Sequence, residues 1–211
     1  MCAALLALAG EQVLASSFDY HLKAQTIAPG VHLFEGAREH FTRDNCGNIV
    51  NTGYIETAAG AVVIDTGPSR RYGEQQRKAV EAQTGKGIAR VYLTHAHPDH
   101  FLGNQVYAGV PIAALPATKQ VIALSGDALA ANLYRLVGGW MEGTERVVPM
   151  QEAIAGRVVI GGRTLRLIAL HGHTDADLAI YDETTRTLFA GDLVFFERAA
   201  TTPNADIDAW L

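Results

Sequence analysis

Apolar positions along this 211-residue chain recur with two different spacings, and the switches between them outline the fold. After an irregular lead-in over residues 18–28, the turn at Pro29-Gly30 opens a first strand at Val31-His32-Leu33-Phe34. A loop through Arg43 and Cys46-Gly47 leads to a β-prone run over residues 48–57, marked by Ile49, Tyr54 and Ile55. Ala58-Ala59-Gly60 is a tight turn, and residues 61–65 form a strand apolar on both faces, hence buried. Ser69 is placed to cap a helix running to about Gln83, with Gly85 as its stop. A strand over 89–94, a short helix over 103–107 and a strand over 110–115 follow.

Helical spacing then returns over residues 117–138. Val121, Leu124, Ala128, Leu129, Leu133 and Leu136 are expected to make a core-facing stripe there. Residues 138–143 read as a mobile, partly apolar loop, in which Trp140 either packs or lines a cleft. From Arg157 the period becomes two. Residues 158–160 and 164–170 pair as a hairpin about Gly161-Gly162, and strands over 178–181 and 187–190 are joined by the turn at 182–185.

The chemistry concentrates where strands end. Thr94-His95-Ala96-His97-Pro98-Asp99-His100 places three histidines and an aspartate in six positions. Imidazole nitrogen and carboxylate oxygen are groups that zinc takes up readily. Histidines two apart on an extended strand converge only once the backbone turns, and Pro98 supplies that turn. His95 and His97 then face one ion, while Asp99 and His100 face a second. The competing reading, a polar loop rich in histidine, is countered by a second cluster at Gly172-His173-Thr174 and Gly191-Asp192. Asp65 ends a buried strand, so its carboxylate must be paired or hydrogen-bonded, unless it only forms the turn before Thr66-Gly67. His171 shares the side of the strand that carries His173, either orienting the site or standing in solvent; His21, His32 and His40 are scattered and structural.

Composition narrows the class. With 48% hydrophobic and 18% charged residues the chain is globular and long enough for one domain with a substantial core. A net charge of −5 argues against a surface built for a phosphate backbone, so no nucleic acid is expected. Two cysteines, Cys2 and Cys46, are too few for a disulfide scaffold. Residues 1–10 are small and apolar like a secretory leader but lack its positive start, so residues 1–17 are either a partial signal peptide or a frayed lead-in to a domain over 18–211. No run approaches the roughly 20 apolar residues of a membrane span.

His-x-His-x-Asp-His after a strand, then Gly-His-Thr, then Leu188-Phe189-Ala190-Gly191-Asp192 resemble the metallo-β-lactamase superfamily from about Val31 onward. Within it, residues 41–45, 47–51 and 63–67 are similar to the zinc metallohydrolases of quinoprotein relay systems and their sulfur-oxidation relatives. The resemblance implies an α/β fold, an αββα sandwich of two sheets between helices. It implies one zinc on His95, His97 and His173, a second on Asp99 and His100, and Asp192 bridging them, with Asp99 also acting in catalysis. A water shared by two such ions is deprotonated near neutral pH. The implied reaction is attack by this metal-bound hydroxide on an ester, thioester, lactone or amide carbonyl of a small molecule, in a periplasmic quinoprotein-linked pathway; a cytoplasmic setting is the alternative. Asp192 stands where β-lactamases of the main branch carry cysteine, which moves the expectation away from β-lactams. The family also places a further histidine beyond the last helix; this chain ends at residues 206–211, read as the first turns of an amphipathic helix, and a C-terminal truncation is therefore expected. Competing expectations are a non-catalytic or assembly member with an incomplete site, a β-lactam hydrolase, and an iron-dependent oxidoreductase.

Overall fold

The computed structural model describes residues 18–211; the expected leader lies outside the described residues. Strands β1 (Gln25–Ala28), β2 (Val31–Phe34), β3 (Thr52–Thr57), β4 (Gly60–Ile64), β5 (Ile88–Tyr92), β6 (Ile112–Ala114) and β7 (Gln151–Glu152) form a seven-stranded sheet in sequence order. The first four strands pair antiparallel and β4 to β7 pair parallel. Parallel pairing needs crossovers on one face of the sheet. Helices α1 (Arg70–Thr84) and α3 (Pro116–Val137) provide two of them, with the single-turn α2 (Pro98–Phe101) between. Strands β8 (Gly156–Ile160), β9 (Arg163–Leu170), β10 (Asp177–Asp182) and β11 (Thr187–Phe189) form a second, antiparallel sheet.

Two apolar cores follow from this layering. β4 is buried on both faces, and its residues alternate between the cores as period-two geometry requires. Val63 joins Phe34, Val91, Leu93, Ile122, Leu133 and Val137 beneath the helices. Val62 and Ile64 join Tyr92, Leu165, Leu178 and Ile180 between the sheets. The α/β two-sheet architecture expected from the sequence is therefore present.

Four local expectations change. The irregular lead-in contains a strand, β1, exposed along most of its length and held by pairing to β2 rather than by an apolar face. The run over 48–57 is extended as a strand only from Thr52. The loop at 138–143 begins with a 3-10 turn over Gly138–Met141, and Trp140 packs edge-on against Phe18 and Tyr20 as part of the first core. Helix α3 has the predicted length but a different phase. Its buried residues are Thr118, Ile122, Gly126, Leu133 and Val137, whereas Val121, Leu124 and Leu136 are exposed by 39%, 78% and 44%.

Helix α1 begins and ends where its capping residues predict. Ser69 is extended and its Oγ accepts from Tyr72 N at 3.1 Å, a cap worth about 1 kcal/mol. Gly85, at φ +63, closes the other end.

Candidate metal centre

The C-terminal ends of β4 and β5 and the segments flanking β10 and β11 meet at one rim. Asp65 leaves β4 at φ +58, a conformation costly for a residue with a Cβ. Hydrogen bonds hold it there. Its Oδ1 accepts from Thr94 N at 2.8 Å, and its Oδ2 accepts from Thr94 Oγ1 at 2.7 Å and from His100 Nδ1 at 2.8 Å. The buried carboxylate is thus fully paired, and it ties the end of β4 to the loop after β5. Gly191 completes the rim at φ +57, where a Cβ would sit 2.8 Å from Thr94 Cβ. Only glycine lets the turn after β11 approach Thr94 so closely and bring Asp192 beside the histidines.

These contacts decide which nitrogen of each ring faces inward. A hydroxyl has one proton, and that of Thr94 goes to Asp65. Its contact with His95 Nδ1 at 3.0 Å must then be donated by the imidazole, which leaves His95 Nε2 as a bare lone pair. Asp65 likewise takes the Nδ1 proton of His100, so Nε2 is the nitrogen that faces the centre. His97 Nε2 lies 3.2 Å from Asn204 Oδ1, an acceptor, so its Nδ1 faces the centre, 2.9 Å from His173 Nε2.

One ligand atom each from His95, His97, His173 and Asp192 lies within 4.8 Å of the others, the arrangement of groups around a common point. Asp192 reaches both ways: its Oδ2 is 3.6 Å from His173 Nε2 and its Oδ1 is 3.3 Å from His100 Nε2. Asp99 Oδ2 stands 3.7 Å from the same His100 nitrogen. All six residues singled out from the sequence are therefore adjacent, four around one point and Asp99 and His100 beside it. His171 is exposed, on the solvent side of its alternatives.

The electrostatics suit cation binding. Burial, reinforced by the neighbouring histidines, pushes His95 well below the usual imidazole value. Burial also lowers His173 to about 4, so both stay neutral, the form that binds metal. At His100 burial opposes the charge, yet Asp65, Asp99 and Asp192 together raise it well above the ordinary value. Burial lifts the Asp99 carboxyl. For Asp192 burial acts upward, but His100 and the other imidazoles hold it down at about 2.

Buried His95 Nε2 and His100 Nε2 have no hydrogen-bond partner; Asp192 is near the latter but poorly aligned. Leaving such atoms unsatisfied costs roughly 1–3 kcal/mol each. A divalent cation satisfies both, and the donor set of neutral imidazoles with carboxylates is one zinc accepts. The residues present fit such an ion. Thr94 and Asn204, which set the ring tautomers, escaped sequence reasoning. Thr94 adjoins His95 in the motif and was the findable one; Asn204 lies 107 residues from His97 and gives no local signal.

Two sheets whose strand-end loops converge on histidines and aspartates define a two-sheet α/β architecture with a candidate metal centre at its rim. The sequence matches the metallo-beta-lactamase superfamily over residues 47–210, and the chain belongs to that superfamily. The Beta-lactamase-like protein 2 homolog of Caenorhabditis elegans is 28% identical over 148 residues, 70% of this chain and 45% of that protein. The chain thus spans less than half the length of this curated relative. A metallo-beta-lactamase from Pontibacter korlensis superposes with a TM-score of 0.71 at 23% identity, covering 90% of this chain and 81% of that one. Metallo-beta-lactamase IND-7 superposes with a TM-score of 0.69 at 17% identity, covering 90% and 80%. At these identities the structural likeness carries the fold alone.

Proposed function

We propose that the protein is a zinc-dependent hydrolase of small esters, thioesters, lactones or amides. The observation that carries this is the convergence of ring nitrogens of His95, His97, His100 and His173 on one rim, with the two oxygens of Asp192 turned toward different histidines. When bound at such a centre, divalent ions supply an activated water and a Lewis acid for the developing oxyanion.

The chain's own residues do the rest. His95, His97 and His173 would hold one ion, Asp99 and His100 would hold a second, and Asp192 would contribute to both. Asp65 fixes the His100 ring through Nδ1, and Thr94 fixes His95 in the same way. Asp99, buried at 6% exposure and beside His100 Nε2, is the carboxylate assigned to carry the proton to the leaving group. The aspartate at 192 supports carbonyl substrates other than β-lactams. Placement in a periplasmic quinoprotein-linked pathway belongs to the same proposal and is supported by the resemblance of residues 41–51 and 63–67 alone.

No helix among the described residues is long and apolar enough to cross a membrane. The test is metal analysis joined to a substrate panel. The purified protein is loaded with zinc, dialysed, and assayed on a thioester, a lactone and a chromogenic β-lactam. Retained zinc with thioester or lactone turnover is expected. Retained zinc without hydrolysis of any of the three would replace this reading with the non-catalytic one, and selective activity of an iron-loaded form would favour the oxidoreductase.

A further inference from the structure

Helix α3 carries a second face that the core uses only in part, at Leu129. Ile122, Gly126, Leu133 and Val137 are buried beneath it, while Val121, Ser125 and Leu129, each four residues from the next, share a different face. That second stripe lines a cavity of about 240 Å³ whose other walls include Ala96, His97 and Asn204. The cavity is rigidly framed. Thr118 Oγ1, in the first turn of α3, donates to Ala176 O at 3.0 Å, and Thr174 is locked by two hydrogen bonds to Asp177, at 3.0 and 2.7 Å.

His97 belongs to both places. Its Nδ1 faces the metal centre, and its Nε2 meets Asn204 in the cavity wall. A group held at the metal centre therefore has an apolar recess beside it. At 240 Å³ the recess is below the roughly 300–1,000 Å³ of a complete ligand pocket, and suits one arm of a substrate. Apart from His97, the one ionisable residue lining it is Asp175, an exposed carboxylate that disfavours an anionic arm. The opposite flank of the centre contrasts with it: the larger cavity there is lined by Glu35, Arg38, Asp65, Asp192 and Arg198 among apolar residues.

We propose that the recess between α3 and His97 is the specificity subsite of this enzyme, taking a short, uncharged aliphatic arm of the carbonyl substrate, with Val121 and Leu129 as the selecting residues. This rests on the hydrolase reading above and adds the substrate class to it. Besides His97 and Asp175, the polar groups lining the subsite are the Thr118, Ser125 and Thr174 hydroxyls and the Asn204 carboxamide; both threonine hydroxyls already donate within the protein, so chain length sets affinity there more than hydrogen bonding does.

The test uses the cobalt-loaded protein and straight-chain alkanethiols from two to six carbons. The thiolate occupies the metal's open position, and binding is read from the sulfur-to-cobalt absorption band. Affinity should rise about two- to fourfold per added methylene until the recess is full, the upper figure corresponding to about 0.8 kcal/mol per buried methylene. Val121→Trp fills the recess from a half-exposed position and should flatten the series. Leu124→Trp, one turn away and outside the cavity, should keep the full chain-length dependence. In the unsubstituted protein the methyl NMR signals of Val121 and Leu129 should shift on adding butanethiol, a readout independent of how the variants fold. A series indifferent to length, or methyl shifts confined to Val194 on the opposite flank, overturns the subsite while leaving the metal centre standing. Failure to retain cobalt, measured before any thiol is added, overturns the hydrolase reading and the subsite with it.

Discussion

His32 and His95 are both buried histidines of the same half of the molecule, and their surroundings differ in one decisive way. His32 Nδ1 meets Thr26 Oγ1 at 3.0 Å and Gln83 Nε2 at 3.3 Å; its Nε2 meets Glu56 Oε1 at 2.8 Å, and its ring stacks on Tyr54. Nothing is left over. His95 spends Nδ1 on Thr94 and keeps Nε2 unpartnered in a site with no solvent exposure. The carboxylates divide in the same way. Asp182 accepts from Arg163 at 3.0 and 2.7 Å and from the backbone of Thr184 and Thr185. Asp99 is buried with only distant histidine company. A buried polar cluster that closes on itself stabilises the fold; one in which several imidazoles and carboxylates converge unpaired is suited to a cation.

The largest effect that sharpens this contrast is on metal binding. His95→Ala should lower zinc affinity more than about 100-fold, since loss of an outer partner alone costs 10–100-fold. His32→Ala should leave affinity unchanged. Competition with a chelator measures both, and equal loss in the two variants would erase the distinction between closed and open clusters.

Next comes the closed cluster around Asp182. Arg163→Met removes the cation from a carboxylate with no solvent exposure, and stranding a buried charge costs about 3–5 kcal/mol. Zinc content should not change. The pH dependence has a definite sign. Burial acts to raise Asp182, but the bonds from Arg163 and Thr185 prevail and hold it below the usual carboxylate value. Its contribution is therefore full above the unfolded-state pKa and is lost as pH falls through the lower folded value. Denaturant titrations across the acid range should show that loss in the parent protein and not in Arg163→Met.

A smaller effect is expected at the seam between structure and site. Asp65→Asn keeps the shape but weakens the acceptor that turns His100 Nε2 inward. Affinity at the position shared by Asp99 and His100 should fall about 10–100-fold, and fall less at the position of His95, His97 and His173, where Asp65 acts on His95 only through Thr94. Two-step zinc titration by calorimetry separates the two, and parallel loss at both positions would mean that Asp65 holds the whole rim rather than one ligand.

Much of this was legible in the sequence because it is local. His95, His97, Asp99 and His100 lie in one short motif, and a strand with a proline turn is enough to aim them at one rim. Asp65 was readable from its place at the end of an apolar run. The phase of α3 was not. Val121, Leu124 and Leu136 are as apolar as Ile122, Leu133 and Val137, and which stripe is covered depends on what the fold places against it. Strand β1 was unreadable for a related reason: backbone pairing to β2 makes it extended, and pairing leaves no alternation in exposed side chains. For Trp140 the sequence favours packing over a cleft, and the positions of Phe18 and Tyr20 show what it packs against.

The smallest effect tests the closed side of the contrast directly. His32→Gln keeps a polar side chain but is too short and too differently shaped to span Thr26, Gln83 and Glu56 at once. Glu56 is 41% exposed in its side chain, so water replaces the lost partner there. Thr26 and Gln83 are also partly open to solvent. The loss then amounts to one or two net hydrogen bonds and the stacking on Tyr54, about 1–2 kcal/mol in all. Chemical denaturation should show that decrease, while zinc stoichiometry, zinc affinity and hydrolysis remain at parent values. A destabilisation with altered zinc binding would mean that His32 communicates with the rim, and the division between closed and open histidines would have to be redrawn.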